Sequence, residues 1–202
     1  MKQINIFDLD NIDSELDARR NEIKSGFFDW HDLSSQLGVP MRPVAKAIEL
    51  LKQSGGCQTG IHLYPSEIDG FLKWLPVAIE YLEVGDRYQC ELEAPAAELV
   101  DLVGEARELY RKHGQVPREK VDRMKDMLRT IKSSRIWLPK RDYERIRSFD
   151  QAVDGLVFEC DDEWIRRMQE TANTTLLSIE GIRYRAMQDV LFRGSHRIHR
   201  DI

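Results

Sequence analysis

The sequence predicts a mainly α protein, with a helix-turn-helix module at the front and a helical domain with at most a few short strands behind it. Three observations carry that prediction. Apolar residues recur at three- and four-residue steps through most of the chain. Glycine and proline fall where such runs stop and start. The last of these runs, from about 162 to 193, is a little over 30 residues long.

The elements follow in order. Ile12, Leu16 and Ile23 line a first helix, which Asp13 or Ser14 caps and Gly26 ends. Asp29 precedes a short second helix carrying Trp30, Leu33 and Leu37 on one face, and Gly38 closes it. Pro43 stands in the first turn of the next helix, where a missing N–H costs nothing. Val44, Ala47, Ile48 and Leu51 then follow at helical spacing, and Gly55-Gly56 stops the run. Cys57–Tyr64, with a Thr59-Gly60 turn between short extended pieces, has the size of a wing.

From Pro65 the helical pattern returns through Ile68, Phe71, Leu72, Leu75, Ile79 and Leu82, with a kink or a new start at Pro76. Arg87–Glu93 alternates through Tyr88, Cys90 and Leu92 and reads as a strand. Helices open at Pro95, ending at Gly114, and at Pro117, where Val121, Met124, Leu128 and Ile131 share a face. Ile136-Trp137-Leu138-Pro139 interrupts, a shorter helix follows from Lys140, and Leu156–Cys160 reads as a second strand. Asp161 or Asp162 caps the final helix, whose apolar positions are Ile165, Met168, Ala172, Leu176, Ile179, Ile182, Ala186 and Val190. A basic tail ends the chain. The expected domains are residues 1–64 and 65–202, and the long helix is a candidate for pairing with a protein partner or a second copy.

Residues 29–56 hold the most specific pattern. Asp29–Leu37 is the first helix of a helix-turn-helix, Gly38-Val39-Pro40-Met41 the turn and Pro43–Ser54 the recognition helix. The stretch "DWHDLSSQLGVPMRPVAKAIELLKQSGG" resembles the winged helix-turn-helix superfamily, most like the N-terminal module of GntR-type bacterial regulators. Leu33, Leu37, Gly38, Val39, Val44, Ala47, Ile48, Leu51 and Gly55 stand in register, and "NEIKSG" matches the helix end that precedes them there. The resemblance covers about a quarter of the chain and implies a DNA-associated, regulatory role. The wing departs from the pattern, because "CQTGIHLYP" contains no Lys or Arg.

Charge is laid out in blocks. The net charge is −5, yet residues 118–147 carry eleven basic side chains against five acidic ones, while 65–100 carries two against eight. DNA binding draws much of its affinity from phosphate neutralisation. On the recognition helix Met41, Arg42, Lys46 and Lys52 are the expected contacts, beside Glu49 and Gln53. In the central block Arg118, Lys125, Arg129 and Lys132 form a stripe opposite the apolar face. Arg135, Lys140, Arg141, Arg145 and Arg147 continue it, with Trp137 and Tyr143 interleaved as stacking groups. The competing expectation pairs these cations with the acidic 65–100 segment and buries Trp137 in the core.

No glycine-rich phosphate loop, nucleophile elbow or His-Glu-x-x-His helix occurs. His196 and His199 have ligand-like spacing but lie in an arginine-rich tail without cysteines. No catalytic residue, metal or cofactor is expected. Three scattered cysteines, no signal-like stretch and no apolar run of roughly 20 residues lead to a cytoplasmic protein without a membrane partner as the expectation. Two functions stand side by side: a non-enzymatic DNA-associated winged-helix regulator or accessory factor, and an adaptor whose winged helix binds protein in a bacterial or phage complex that processes or protects DNA.

Overall fold

The computed structural model describes residues 28–58, 62–156 and 161–200. The first helix expected over Ile12–Ile23, the Thr59-Gly60 turn and most of the strand expected at 156–160 lie outside them. The described chain is mainly helical: β1 (Phe28–Asp29), α1 (Trp30–Leu37), α2 (Met41–Gln53), β2 (His62–Leu63), a 3₁₀ turn (Pro65–Glu67), α3 (Ile68–Tyr88), a π turn (Gln89–Glu93), α4 (Ala94–His113), α5 (Arg118–Ser133), α6 (Lys140–Gly155) and α7 (Asp162–Arg200). The chain divides into two compact units, Met1–Val84 with Met187–Ile202, and Gly85–Ala186. None of the described helices is long and apolar enough to cross a membrane.

In the first unit, α1 begins on a reciprocal capping box. The Asp32 N–H donates to Asp29 Oδ1 at 2.9 Å, and the Asp29 N–H donates back to Asp32 Oδ2 at 3.4 Å. The Asp32 N–H also holds the Asp29 carboxyl below its usual range. Gly38 ends the helix at φ 66°, a left-handed conformation that suits glycine. The Ser34 hydroxyl then donates to the Val39 carbonyl at 2.7 Å, fixing the turn into α2. Pro43, third in α2, needs no N–H there. Leu33, Leu37, Val44, Ala47, Ile48 and Leu51 are buried with Phe71, Leu75 and Ile79 of α3, as their spacing predicted, whereas Trp30, expected on the same face as Leu33 and Leu37, is exposed.

Two residues of β2 pair antiparallel with β1, Phe28 against Leu63 and Asp29 against His62. Glu67 ties the ends of the intervening segment, accepting from the Gln58 N–H at 3.2 Å and the Tyr64 N–H at 2.8 Å. Pro76 lies inside α3, which runs on through it. The last part of α7 packs on α3 through Val190, and Arg193 reaches Glu80 at 3.1 Å.

The second unit buries Leu92, Leu99, Val103, Val121, Met124, Leu128, Ile131, Ile146, Phe149, Val153, Ile165, Met168 and Ile179 in one core. Arg87–Glu93 is not a strand but the end of α3 and the π turn. Tyr88 and Leu92, four apart, face the same core while Cys90 is exposed, which is helical rather than alternating order. The Ala94 N–H bonds the Gln89 carbonyl, so the backbone needs no partner strand. Arg183 of α7 donates to both Gln89 and Glu93 across this turn. The Asp161 carboxylate accepts from the Trp164 N–H at 2.6 Å, capping α7, which continues past the expected end near 193 through the basic tail. Close by, Arg166 and Arg167 pull the Glu163 carboxyl down to about 2.

Candidate nucleic-acid interface

The two surfaces singled out from the sequence differ in how much positive charge they leave open. On α2, Arg42 and Lys52 are exposed and Met41 is half-buried. Lys46, expected in solvent, is largely covered, with 18% of its side chain accessible. Its ammonium pairs with Glu49 at 3.0 Å and lies 4.8 Å from the centre of the Tyr81 ring on α3. Gln53 donates to the other Glu49 oxygen at 2.9 Å. The outer face of α2 thus borders a groove of about 490 Å³ lined by Trp30, Arg42, Ala45, Lys46, Glu49, Lys52 and Leu82.

The α5 stripe is largely neutralised. Arg123 meets Glu98 at 2.6 Å, Lys125 meets Asp154 at 2.5 Å, Arg129 meets Asp126 at 2.7 Å and Lys132 meets Asp150 at 2.6 Å. Lys120 pairs with Glu105, and Arg118 approaches Asp122 at 4.0 Å. Only Glu98 among these acids belongs to the 65–100 segment; the others come from α4, α5 and α6. Between α4 and α5 an open groove of about 890 Å³ carries Glu98, Asp101, Glu105, Glu119, Asp122 and Asp126 against Arg118, Lys120 and Arg123. Phosphate would meet net negative charge there.

Positive charge stays open farther along. Ser134 starts the α5–α6 connector, donating to Glu91 at 2.9 Å and accepting from the Ile136 N–H at 3.1 Å. That hydroxyl, followed by the Arg87 guanidinium, holds the Glu91 carboxyl below its usual range. The backbone leaves the helical conformation at Ser134 (ψ 140°) and is still outside it at Pro139 (ψ 144°), so the connector breaks the run from α5 to α6. Ile136 turns inward and is buried, Leu138 packs on the same core, and Trp137 between them is 76% exposed. The competing expectation that Trp137 belongs to the core is therefore wrong, because its two neighbours take the inward positions.

On α6, Lys140, Tyr143 and Arg147 recur at i, i+3 and i+7 on the exposed side, and Arg141 is exposed beside them. Tyr143 is 50% exposed. Lys140 lies 3.8 Å from Glu144. Arg145 turns to the buried Asp142 at 3.0 Å, which also accepts from Ser178 at 2.6 Å, so it serves packing rather than the surface. Among the described residues Arg135, Arg141 and Arg147 make no side-chain ion pair. Residues 134–147 hold five cations against two acids. The structure thus leaves Arg135, Trp137, Lys140, Arg141, Tyr143 and Arg147 exposed within residues 134–147, whereas the cations of α5 are mostly paired.

Sequence spacing missed the positioning residues Ser134, Ile136, Glu91 and Tyr81. The alternation Ile136-Trp137-Leu138 was a usable signal; the long-range partners Glu91 and Tyr81 left none in local sequence. Compared with known protein families, curated proteins and solved structures, the chain matches none of them.

Proposed function

We propose that this chain is a non-enzymatic, DNA-associated accessory or regulatory protein that contacts nucleic acid chiefly through the exposed Arg135–Arg147 surface. One observation carries this: within a basic stretch whose other cations are paired, Arg135, Arg141 and Arg147 are exposed and make no ion pair among the described residues, and Trp137 and Tyr143 are exposed in the same stretch. A cation that neutralises a phosphate releases the counterion condensed on the nucleic acid, and a cation already held by a carboxylate must first give up that pair. Residues 28–64 are read as a winged helix-turn-helix that gives the module its shape. The capped α1, the left-handed Gly38 and the β1–β2 pair support that reading.

A second function, an adaptor whose helix-turn-helix binds protein, is favoured by the tied-down Lys46 and by Trp30, Ala45 and Leu82 in the α2 groove. Leu177 and Tyr184, both about two-thirds exposed and seven residues apart on α7, favour pairing with a second copy. Fluorescence anisotropy with labelled duplex and single-stranded oligonucleotides at about 50 mM salt tests the first function. Binding of either at micromolar protein is expected, abolished in Arg135→Glu/Arg141→Glu/Arg147→Glu. No binding of either would sink DNA association and leave the adaptor.

A further inference from the structure

We propose that the Arg135–Arg147 surface takes unpaired nucleic acid, stacking bases on Trp137 and Tyr143 while the arginines neutralise the backbone. This rests on the nucleic-acid function just proposed and names the strand form it acts on.

The exposure of Trp137 is built in. An indole is a large apolar body whose contact with water is unfavourable, and its N–H ordinarily finds a partner when the ring is packed. Trp164, though 39% exposed, still finds such a partner: its Nε1 donates to the Ala152 carbonyl at 3.3 Å, and its ring lies where a side chain on Gly155 would stand. Trp74 is buried. Trp137 makes no hydrogen bond among the described residues and is 76% exposed. It is held outward by buried Ile136, half-buried Leu138 and the Ser134 hydrogen bonds, not by a loose connector. A ring held in water on an anchored backbone is pre-organised to stack, with little ordering cost on binding.

The neighbouring groups fit the same ligand. Tyr143 is the second exposed ring, with Arg147 one turn further along α6 and Lys140 one turn before it. Alternating aromatic faces and cations suit a single strand, whose bases have open faces and whose phosphates recur at each nucleotide. A duplex offers no free base face, because its bases already stack on each other. Arg135 stands two residues before Trp137 and Arg141 four residues after it, both exposed, as cations for the phosphates of the same strand.

The test uses the full chain with a labelled oligo-dT 15-mer, an oligo-U 15-mer, a mixed-sequence duplex of the same length, and phosphatidylcholine/phosphatidylserine vesicles. Variants are Trp137→Ala, Trp137→Phe and Tyr143→Ala, with circular-dichroism melts to verify the fold. Both single strands are expected to bind at least about ten-fold tighter than the duplex. Trp137→Ala should weaken them by about 5- to 100-fold, in line with the stacking of one base, and Trp137→Phe should recover most of that loss. If the duplex binds as tightly as the single strands and Trp137→Ala changes neither, stacking is overturned while nucleic-acid association stands. If no oligonucleotide binds, both fail together. Binding to vesicles without binding to oligonucleotides overturns the proposal in favour of a membrane-surface role for Trp137.

Discussion

The Lys46 ammonium lies 4.8 Å from the centre of the Tyr81 ring and 3.0 Å from Glu49, so the middle cation of the recognition helix is held by its own chain. A largely covered cation over an aromatic face is worth about 0.5–2 kcal/mol. Moving it onto a phosphate forfeits that contact. Lys46→Ala is therefore expected to cost about 1 kcal/mol of stability in urea unfolding, while nucleic-acid affinity changes less than about two-fold. A stable variant with a ten-fold loss of affinity would return the recognition helix to the interface.

A Cβ on Gly194 would stand 2.5 Å from Cγ1 of Val77, so α7 meets α3 where only glycine fits. The obstruction is a β-branched side chain on a helix, which cannot swing aside cheaply. Gly194→Ala is expected to destabilise by about 1–3 kcal/mol despite alanine's better helix propensity. That corresponds to a drop of several degrees in Tm for a chain of this size. An unchanged or raised Tm would mean that this end of α7 does not pack on Val77.

Glu83 has a buried Oε1 with no hydrogen-bond partner among the described residues. Burial, and secondarily the Glu80 charge, raise its carboxyl above the usual range. For an acid with a raised folded pKa, ionisation costs the folded state stability once pH climbs above the unfolded value of about 4.5. The cost is small at pH 4, where the carboxyl is mostly protonated in both states. Glu83→Gln should accordingly raise Tm at pH 7 by a degree or two and leave it unchanged at pH 4. An equal gain at both pH values would assign the effect to packing instead.

Much of the helical order was legible because the relevant signals are local. Asp29, Gly38, Pro43, Gly114 and Pro117 each act within a turn of their own position, and the spacing of Leu33 through Leu51 states which face is buried. Arg87–Glu93 misled because two-residue alternation over seven residues also contains a four-residue step, Tyr88 to Leu92. The choice between them is made by the core those two residues share. β1 was not foreseen: two residues are too few to show a period, and its pairing with β2 is long-range.

The interface was legible in composition but not in availability. Eleven cations in 118–147 announce a basic block, yet Lys125 and Lys132 are answered by Asp154 and Asp150, which only α6 packing brings near. Arg135, Arg141 and Arg147 differ from them in nothing that local sequence records. What separates the two sets is which helix face lies opposite an acidic neighbour.

The most direct measurement is the dependence of oligo-dT affinity on salt, compared between the wild-type chain and Arg135→Ala/Arg141→Ala/Arg147→Ala. Each phosphate neutralised on a single strand contributes about −0.7 to the slope of log K against log salt. Three contacts predict a wild-type slope of about −2, largely lost in the triple variant. A slope unchanged in that variant, but lost in Arg42→Ala/Lys46→Ala/Lys52→Ala, would contradict the assignment of the interface to the Arg135–Arg147 surface.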